Sequence, residues 1–441
     1  MPVYIGANPN ANNTAGDYSK MNLKETMLYD RALTAEEVSD LTNYFTNSDV
    51  KTKNIDTPTF TETDTSSGKD VTITYPEGCG NEYTCSYSKD NGEFITVTSN
   101  PTVSFASSGN VVAKVTDGTN TVTSSYTVTI TTAETLKQNT VTSGDGLYKD
   151  TYEPGRYIYR GANPDNYIKL GDDLYRIISL ESDNTLKVIK NDTIGVGTFD
   201  LGYATSIDGV TSASSTEGTR YSSVSTDYCY ASSSSSYYGC KAWGSKTTTL
   251  DTNEKNITQM PKETNGTLYN LPDKEAYLNT YLNNTWYNAL SSGVQNLITP
   301  HIFNIGVVKN SETTLENTIV EEQTYKWLGK IGLINISDYV KASTNSLCTG
   351  VNAYYHNSNP ECYNNSNAHN WVFKSVGTNY PWTIAPYSHL NSYAMFYISS
   401  NNYIYVSNTD NLLNVFPVFY LNDRSTHLKG TGSRSDPYQI S

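Results

Sequence analysis

From residue 55 to about 132 the chain alternates between apolar and polar positions. Val71-Thr-Ile-Thr-Tyr75, Phe94-Ile-Thr-Val97, Val111-Val-Ala-Lys-Val115 and residues 122–130 are Thr/Val-rich runs of period near two, which predicts half-buried strands. Asn91-Gly92, Ser108-Gly109 and Asp117-Gly118 punctuate them at the spacing of a sandwich. Asp90-Asn91-Gly92, between Tyr87 and Phe94, predicts a hairpin. Further on, Tyr157-Ile-Tyr-Arg160, Tyr167-Ile-Lys-Leu170, Leu174-Tyr-Arg-Ile-Ile178 and Leu186-Lys-Val-Ile-Lys190 predict short strands with turns at Gly171-Asp172 and Asp183-Asn184. Leu278, Tyr281/Leu282, Trp286/Ala289, Leu290, Val294 and Leu297 recur at helical spacing and predict a helix over 273–298. In the first 48 residues, 3–5 read as a strand, and 6–10 with Gly16-Asp17 as turn chemistry. Thr34-Ala-Glu-Glu37 reads as a capping box opening a helix whose apolar stripe is Val38, Leu41 and Tyr44/Phe45. The stretch 132–145 is polar, lacks aromatics and reads as a linker.

Length and charge narrow the picture. At 441 residues two to four domains are expected. Thirty basic against 44 acidic residues, net −14, exclude the basic footprint of a general nucleic-acid binder. Thirty-seven tyrosines with only 17% charged residues separate the chain from disordered ones. No run of about 18 apolar residues offers a bilayer span, so no membrane insertion is expected in this segment. The N-terminus, Met1-Pro-Val-Tyr-Ile-Gly6, lacks the basic and apolar regions of an export signal. The six cysteines point outward nonetheless. They form three local pairs, Cys79/Cys85, Cys229/Cys240 and Cys348/Cys362, without Cys-x-x-Cys or nearby His. These read as disulfides closing surface loops, the alternative being free or buried thiols. An extracellular location then requires a longer precursor carrying the export signal.

Catalytic patterns are missing: no His-Glu-x-x-His, Gly-x-Ser-x-Gly, phosphate loop or dinucleotide fingerprint occurs. The five histidines (301, 356, 369, 389, 427) are scattered; His301 reads as packed rather than catalytic. Gly171-Asp-Asp173 and Asp251-Thr-Asn253 read as turns rather than calcium loops. The expectation is therefore a protein that is not an enzyme, without cofactor or metal.

Three resemblances organise the chain. Residues 5–10 with Met27-Leu-Tyr-Asp-Arg-Ala-Leu-Thr-Ala-Glu-Glu-Val38 resemble the tail of a laminin-G or concanavalin-A-like jelly roll, making 1–48 its C-terminal remnant. Residues 50–133 resemble a bacterial immunoglobulin-like β-sandwich, and 134–145 follow as linker. For 146–441 the motifs are Tyr159-Arg-Gly-Ala-Asn-Pro-Asp-Asn-Tyr-Ile168, Tyr277-Leu-Asn279 with Trp286, Lys330-Ile-Gly-Leu-Ile-Asn-Ile-Ser-Asp-Tyr339, Asn370-Trp371, Trp382-Thr-Ile-Ala-Pro386 and Phe416-Pro-Val-Phe-Tyr-Leu421. In that order they resemble an uncharacterised domain of bacterial surface proteins, similar to the formylglycine-generating/C-type-lectin-like fold. Relatives usually carry Arg where this chain has Phe416, and the catalytic cysteines and calcium motifs of those two families are missing. The resemblance implies a multi-domain, β-rich protein in which an α+β lectin-like domain follows the sandwich.

Functionally, such an array is expected to be a surface adhesin that binds a host or environmental glycan or a surface protein. The alternatives are a structural spacer without specific ligand, and a binding protein varied by a diversity-generating retroelement across 379–416, a segment dense in Asn, Ser and Tyr. Residues 393–398 and 403–406 read as a hairpin about Ser399-Ser-Asn-Asn402. Alternation puts Ala394, Phe396, Ile398, Ile404 and Val406 on a core face and Tyr393, Tyr397, Tyr403 and Tyr405 on the other, which is expected to be exposed, the alternative being that these Tyr pack beneath a neighbouring loop. Trp382, Tyr387 and His389 are expected to flank that plate, with Asn401 and Asn402 at its turn and Asn408, Asp410, Asn411 and Asn414 beyond it.

Overall fold

The computed structural model describes residues 7–9, 15–18, 32–40, 55–65, 68–200, 228–231, 238–262, 266–309, 314–348, 369–376, 380–388, 394–399, 404–422 and 428–440. Residues 1–56 and 57–441 form separate compact units. In the first, Ala7–Pro9 pairs antiparallel with Ala15–Tyr18. The residues read as turn chemistry thus make a ladder, and its register slips between Asn8 and Pro9, where proline has no N–H to contribute. The Thr34 capping box is present. Thr34 Oγ1 accepts the Glu37 N–H at 3.1 Å, the Glu37 carboxylate accepts the Thr34 N–H at 2.9 Å, and a helix covers 35–40. Val38 is exposed rather than packed; residues 3–5 and Leu41 lie outside the described residues.

The second unit begins with seven antiparallel strands in two sheets. One is ordered Thr59–Thr65, Gly68–Thr74, Thr102–Phe105; the other Ile95–Val97, Thr84–Lys89, Gly109–Thr116, Thr121–Val128. Alternate residues are sealed: Val71 and Ile73 from one sheet, Val111, Ala113 and Val115 from the other. Tyr75 Oη donates to Ser86 O at 2.6 Å and ties one sheet to the other. The hairpin at 90–92 is made by Asp90 and Asn91, both at positive φ, the left-handed geometry that short polar side chains tolerate.

The expected linker at 134–145 is not one along its length. Thr131 caps a helix over Thr132–Gln138, with a complete capping box to Glu134. Ala133 and Leu136 are buried in the core of the C-terminal body, while Glu134 faces Lys69 of the sandwich at 3.7 Å. The helix therefore belongs to the packing on both sides.

That body is built on a ten-stranded sheet. Its path runs Ile298–Thr299, Val418–Leu421, Leu186–Lys190, Asp173–Leu180, Tyr167–Leu170, Tyr438–Ile440, Leu428–Lys429. The predicted strands and both hairpin turns are there, with Gly171 and Asn184 at positive φ. The last strand returns parallel to Tyr167–Leu170, pairing Tyr438 with Ile168. Phe416 lies in the apolar core, 2% exposed, so this position contributes packing and not an ionic group. The helix predicted over 273–298 is interrupted. Tyr277–Thr280 continues as a π-turn over Tyr281–Trp286 and ends at Ala289; Leu290 turns extended, and Ser291 caps Ser292–Leu297. Inside the π-turn, Asn283 bonds both backbone groups of Ile331, at 2.9 and 3.0 Å. A side chain standing in for a neighbouring strand is a physical cause for the local widening.

Strand Leu186–Lys190 is buried on both faces, and its charge is met by helix Ile336–Lys341. Lys187 Nζ lies 2.7 Å from Asp338 and 3.0 Å from Asn335; Arg156 reaches the other Asp338 oxygen at 2.6 Å. Burial alone would raise the Asp338 pKa, yet Lys187 and Arg156 hold the carboxyl well below its usual range. Glu322 sits at the start of that helix, accepting the Ile336 N–H at 2.8 Å and hydrogen bonds from Ser337. There burial prevails, with the Asp338 charge adding to it, and pushes the carboxyl up to about 7.

Candidate functional site: a tyrosine-bearing hairpin

A four-stranded sheet, ordered Val308–Lys309, Trp382–Ser388, Ala394–Ile398, Ile404–Asn408, carries the predicted hairpin at one end. Phe396 pairs with Val406, Tyr397 with Tyr405 and Ile398 with Ile404. The predicted core face is sealed at Ala394, Phe396, Ile398 and Ile404, and Val406 packs on it half-buried.

The opposite face is graded. Trp382 is paired with Tyr397, but it is 1% exposed, and its Nε1 donates to Gly197 O at 2.9 Å. It does not flank the plate, because strand Val196–Gly197 and the Phe199 ring cover it. Met395 is sealed on the same face. Tyr397 is half-buried, and Tyr405, on the outer strand, is 50% exposed. Their rings meet edge to face at 6.0 Å, a favourable aromatic geometry. Burial raises the Tyr397 hydroxyl above its usual range, with Tyr405 and Tyr380 contributing.

Tyr387 is also displaced from the expected plate. It packs edge-on against Phe396 at 5.4 Å, on the core side, and its carbonyl accepts from Lys241 Nζ at 2.6 Å. Asn408 and Asn411 are exposed, and Asn411 Nδ2 donates to Ser407 at 2.7 Å. Asp410 is half-buried and its carboxyl is raised by that burial. Asn414 pairs with Val196 and bridges to Pro381. His389, Tyr393, Asn401, Asn402 and Tyr403 lie outside the described residues. A residue that alternation could not place joins the row: Tyr380, at φ 51°, is 42% exposed with its ring 6.2 Å from Tyr397. Its signal was the Tyr-Pro-Trp sequence just before a strand.

Cys79–Cys85 and Cys229–Cys240 are disulfides; the second joins directly paired residues of a hairpin. Cys348 is disulfide-bonded too, and Cys362 lies outside the described residues. Both suspected calcium loops are turns: Leu170 pairs with Asp173 across Gly171-Asp172, and Asp251 accepts the Asn253 and Lys255 N–H groups. His301 stacks on Tyr420 at 3.7 Å. Among the described residues no group of three or more His, Cys, Asp or Glu side chains is placed to hold a metal, and no helix is long and apolar enough to cross a membrane. No protein-family model, curated protein or solved structure matches the chain.

Proposed function

We propose that this protein binds a ligand outside the cell, with residues 146–441 as a lectin-like head and the sandwich as an immunoglobulin-like spacer. The observation carrying this reading is the row Tyr380, Tyr397, Tyr405, whose rings lie 6.2 and 6.0 Å apart on a sheet face that is sealed at Trp382 and Met395 and opens at Tyr380 and Tyr405. Tyrosine offers broad contact at low rotamer cost, and the amides of Asn408 and Asn411 beside the strand both donate and accept. The rigid sheet beneath keeps the rings in place before a partner arrives. Disulfides support the exterior location, since such bonds persist in oxidising compartments. The target is a neutral glycan or a protein surface: residues 379–416 contain no Lys or Arg to pair with a polyanion. Probing a glycan array and a mucus extract with the purified chain tests the reading. Saturable capture by either supports it; none from both favours the spacer alternative.

A further inference from the structure

A second concave surface lies elsewhere on the head. The ladder between His301–Asn304 and Lys326–Gly329, together with helix Leu315–Glu322, encloses a groove of about 540 Å³, within the size range of small-ligand sites. Ile302 and Asn304 of one strand and Lys326, the partner of Asn304, line the groove, with His301 at the strand's start. Its deeper part is the His301–Tyr420 stack and Glu181; its outer part is Val320, 63% exposed, with Thr252 and Glu254.

The carboxylates lining the groove already have cationic partners. Glu181 accepts from Arg156 Nε at 3.1 Å through both oxygens. Glu254 lies 3.4 Å from Lys326, and His301 Nε2 is 3.2 Å from Asp183. What remains uncommitted is neutral. The Asn304 carboxamide and Thr252 hydroxyl have no hydrogen-bond partner among the described residues. Gln323 uses only its amide N–H, donated to Glu153 at 2.8 Å, and keeps its oxygen open. An ionic ligand would have to compete with existing pairs. A purely apolar one would leave the amides and hydroxyl stranded. A polyol satisfies both conditions, because its hydroxyls donate and accept while its C–H face lies against Ile302, Val320 and the His301 ring.

We propose that this groove is a carbohydrate site distinct from the tyrosine hairpin, selective for uncharged sugars. Saturation-transfer NMR on the full chain, with a panel of neutral mono- and disaccharides beside glucuronate and glucosamine, tests it. At least one neutral sugar is expected to receive saturation and the two charged ones not. Val320→Trp, filling the groove from an exposed helix position, should weaken that sugar at least tenfold with an unchanged melting temperature. Should that variant fold poorly, Asn304→Ala carries the same expectation. Silence from every neutral sugar, preference for a charged one, or binding indifferent to both substitutions overturns the proposal.

Discussion

Met395 and Tyr397 stand two residues apart on one strand face, yet one is sealed and the other half-open. Alternation places Tyr397 opposite Ala394, Phe396 and Ile398, and the structure has it there, half-buried; how far that side is covered was not readable. What covers a face is decided by distant chain, here the strand at 196–197 over Trp382, which no local pattern encodes. The buried acids were equally silent in sequence, since Asp338 and Glu322 look like ordinary surface carboxylates of short helices. Their environments drive them in opposite directions. Glu322 holds its proton more tightly when folded than its usual value of 4.5 allows, so this group contributes most below that pH. Its contribution declines as pH rises towards 7. Asp338 is depressed, so its contribution is complete above its usual 3.8 and is lost as pH falls further. Glu322→Gln should therefore gain stability relative to the parent between pH 4.5 and 7, on the order of 3 kcal/mol across the window. Urea midpoints at the two pH values check this, and parallel profiles would contradict it.

Two capping boxes show what an element-scale signal can do. Thr34 with Glu37 announced a helix because apolar positions followed it, and the helix is there. Thr131 with Glu134 has the same spacing but is followed by only Ala133 and Leu136, a stripe too short to register as periodic, and the segment passed for linker. Thr131→Ala should cost about 1 kcal/mol, seen as a lower denaturant midpoint with unchanged slope; no change would mean the cap contributes nothing. The broken helix at 277–297 failed for a different reason. Apolar spacing continued through Leu290, but Ser291 caps a new start and Asn283 is engaged by Ile331. Hydrophobic periodicity reports the buried side and not the backbone hydrogen bonds that change the pitch.

At the scale of the whole molecule, the turn and strand patterns conveyed a β-rich chain, while the junction between its parts had to be seen. Helix Thr132–Gln138 places Leu136 in the body's core and Glu134 beside Lys69 of the sandwich. A chain beginning at residue 131 should accordingly melt higher than one beginning at 146, which loses the burial of Ala133 and Leu136; equal melting temperatures would return the segment to the status of a linker. Binding of a partner by the exposed tyrosine row on this body is the proposal on which the rest depends. It is tested most directly by measuring affinity and melting temperature together for Tyr405→Ala, with Trp382→Ala as comparison, on whichever ligand the array or extract supplies. Tyr405→Ala should lose about 2 kcal/mol of binding with its melting temperature unmoved, while Trp382→Ala should lose about 3–5 kcal/mol of folding stability. A Tyr405→Ala chain that melts early, or one that binds as tightly as the parent, would contradict it.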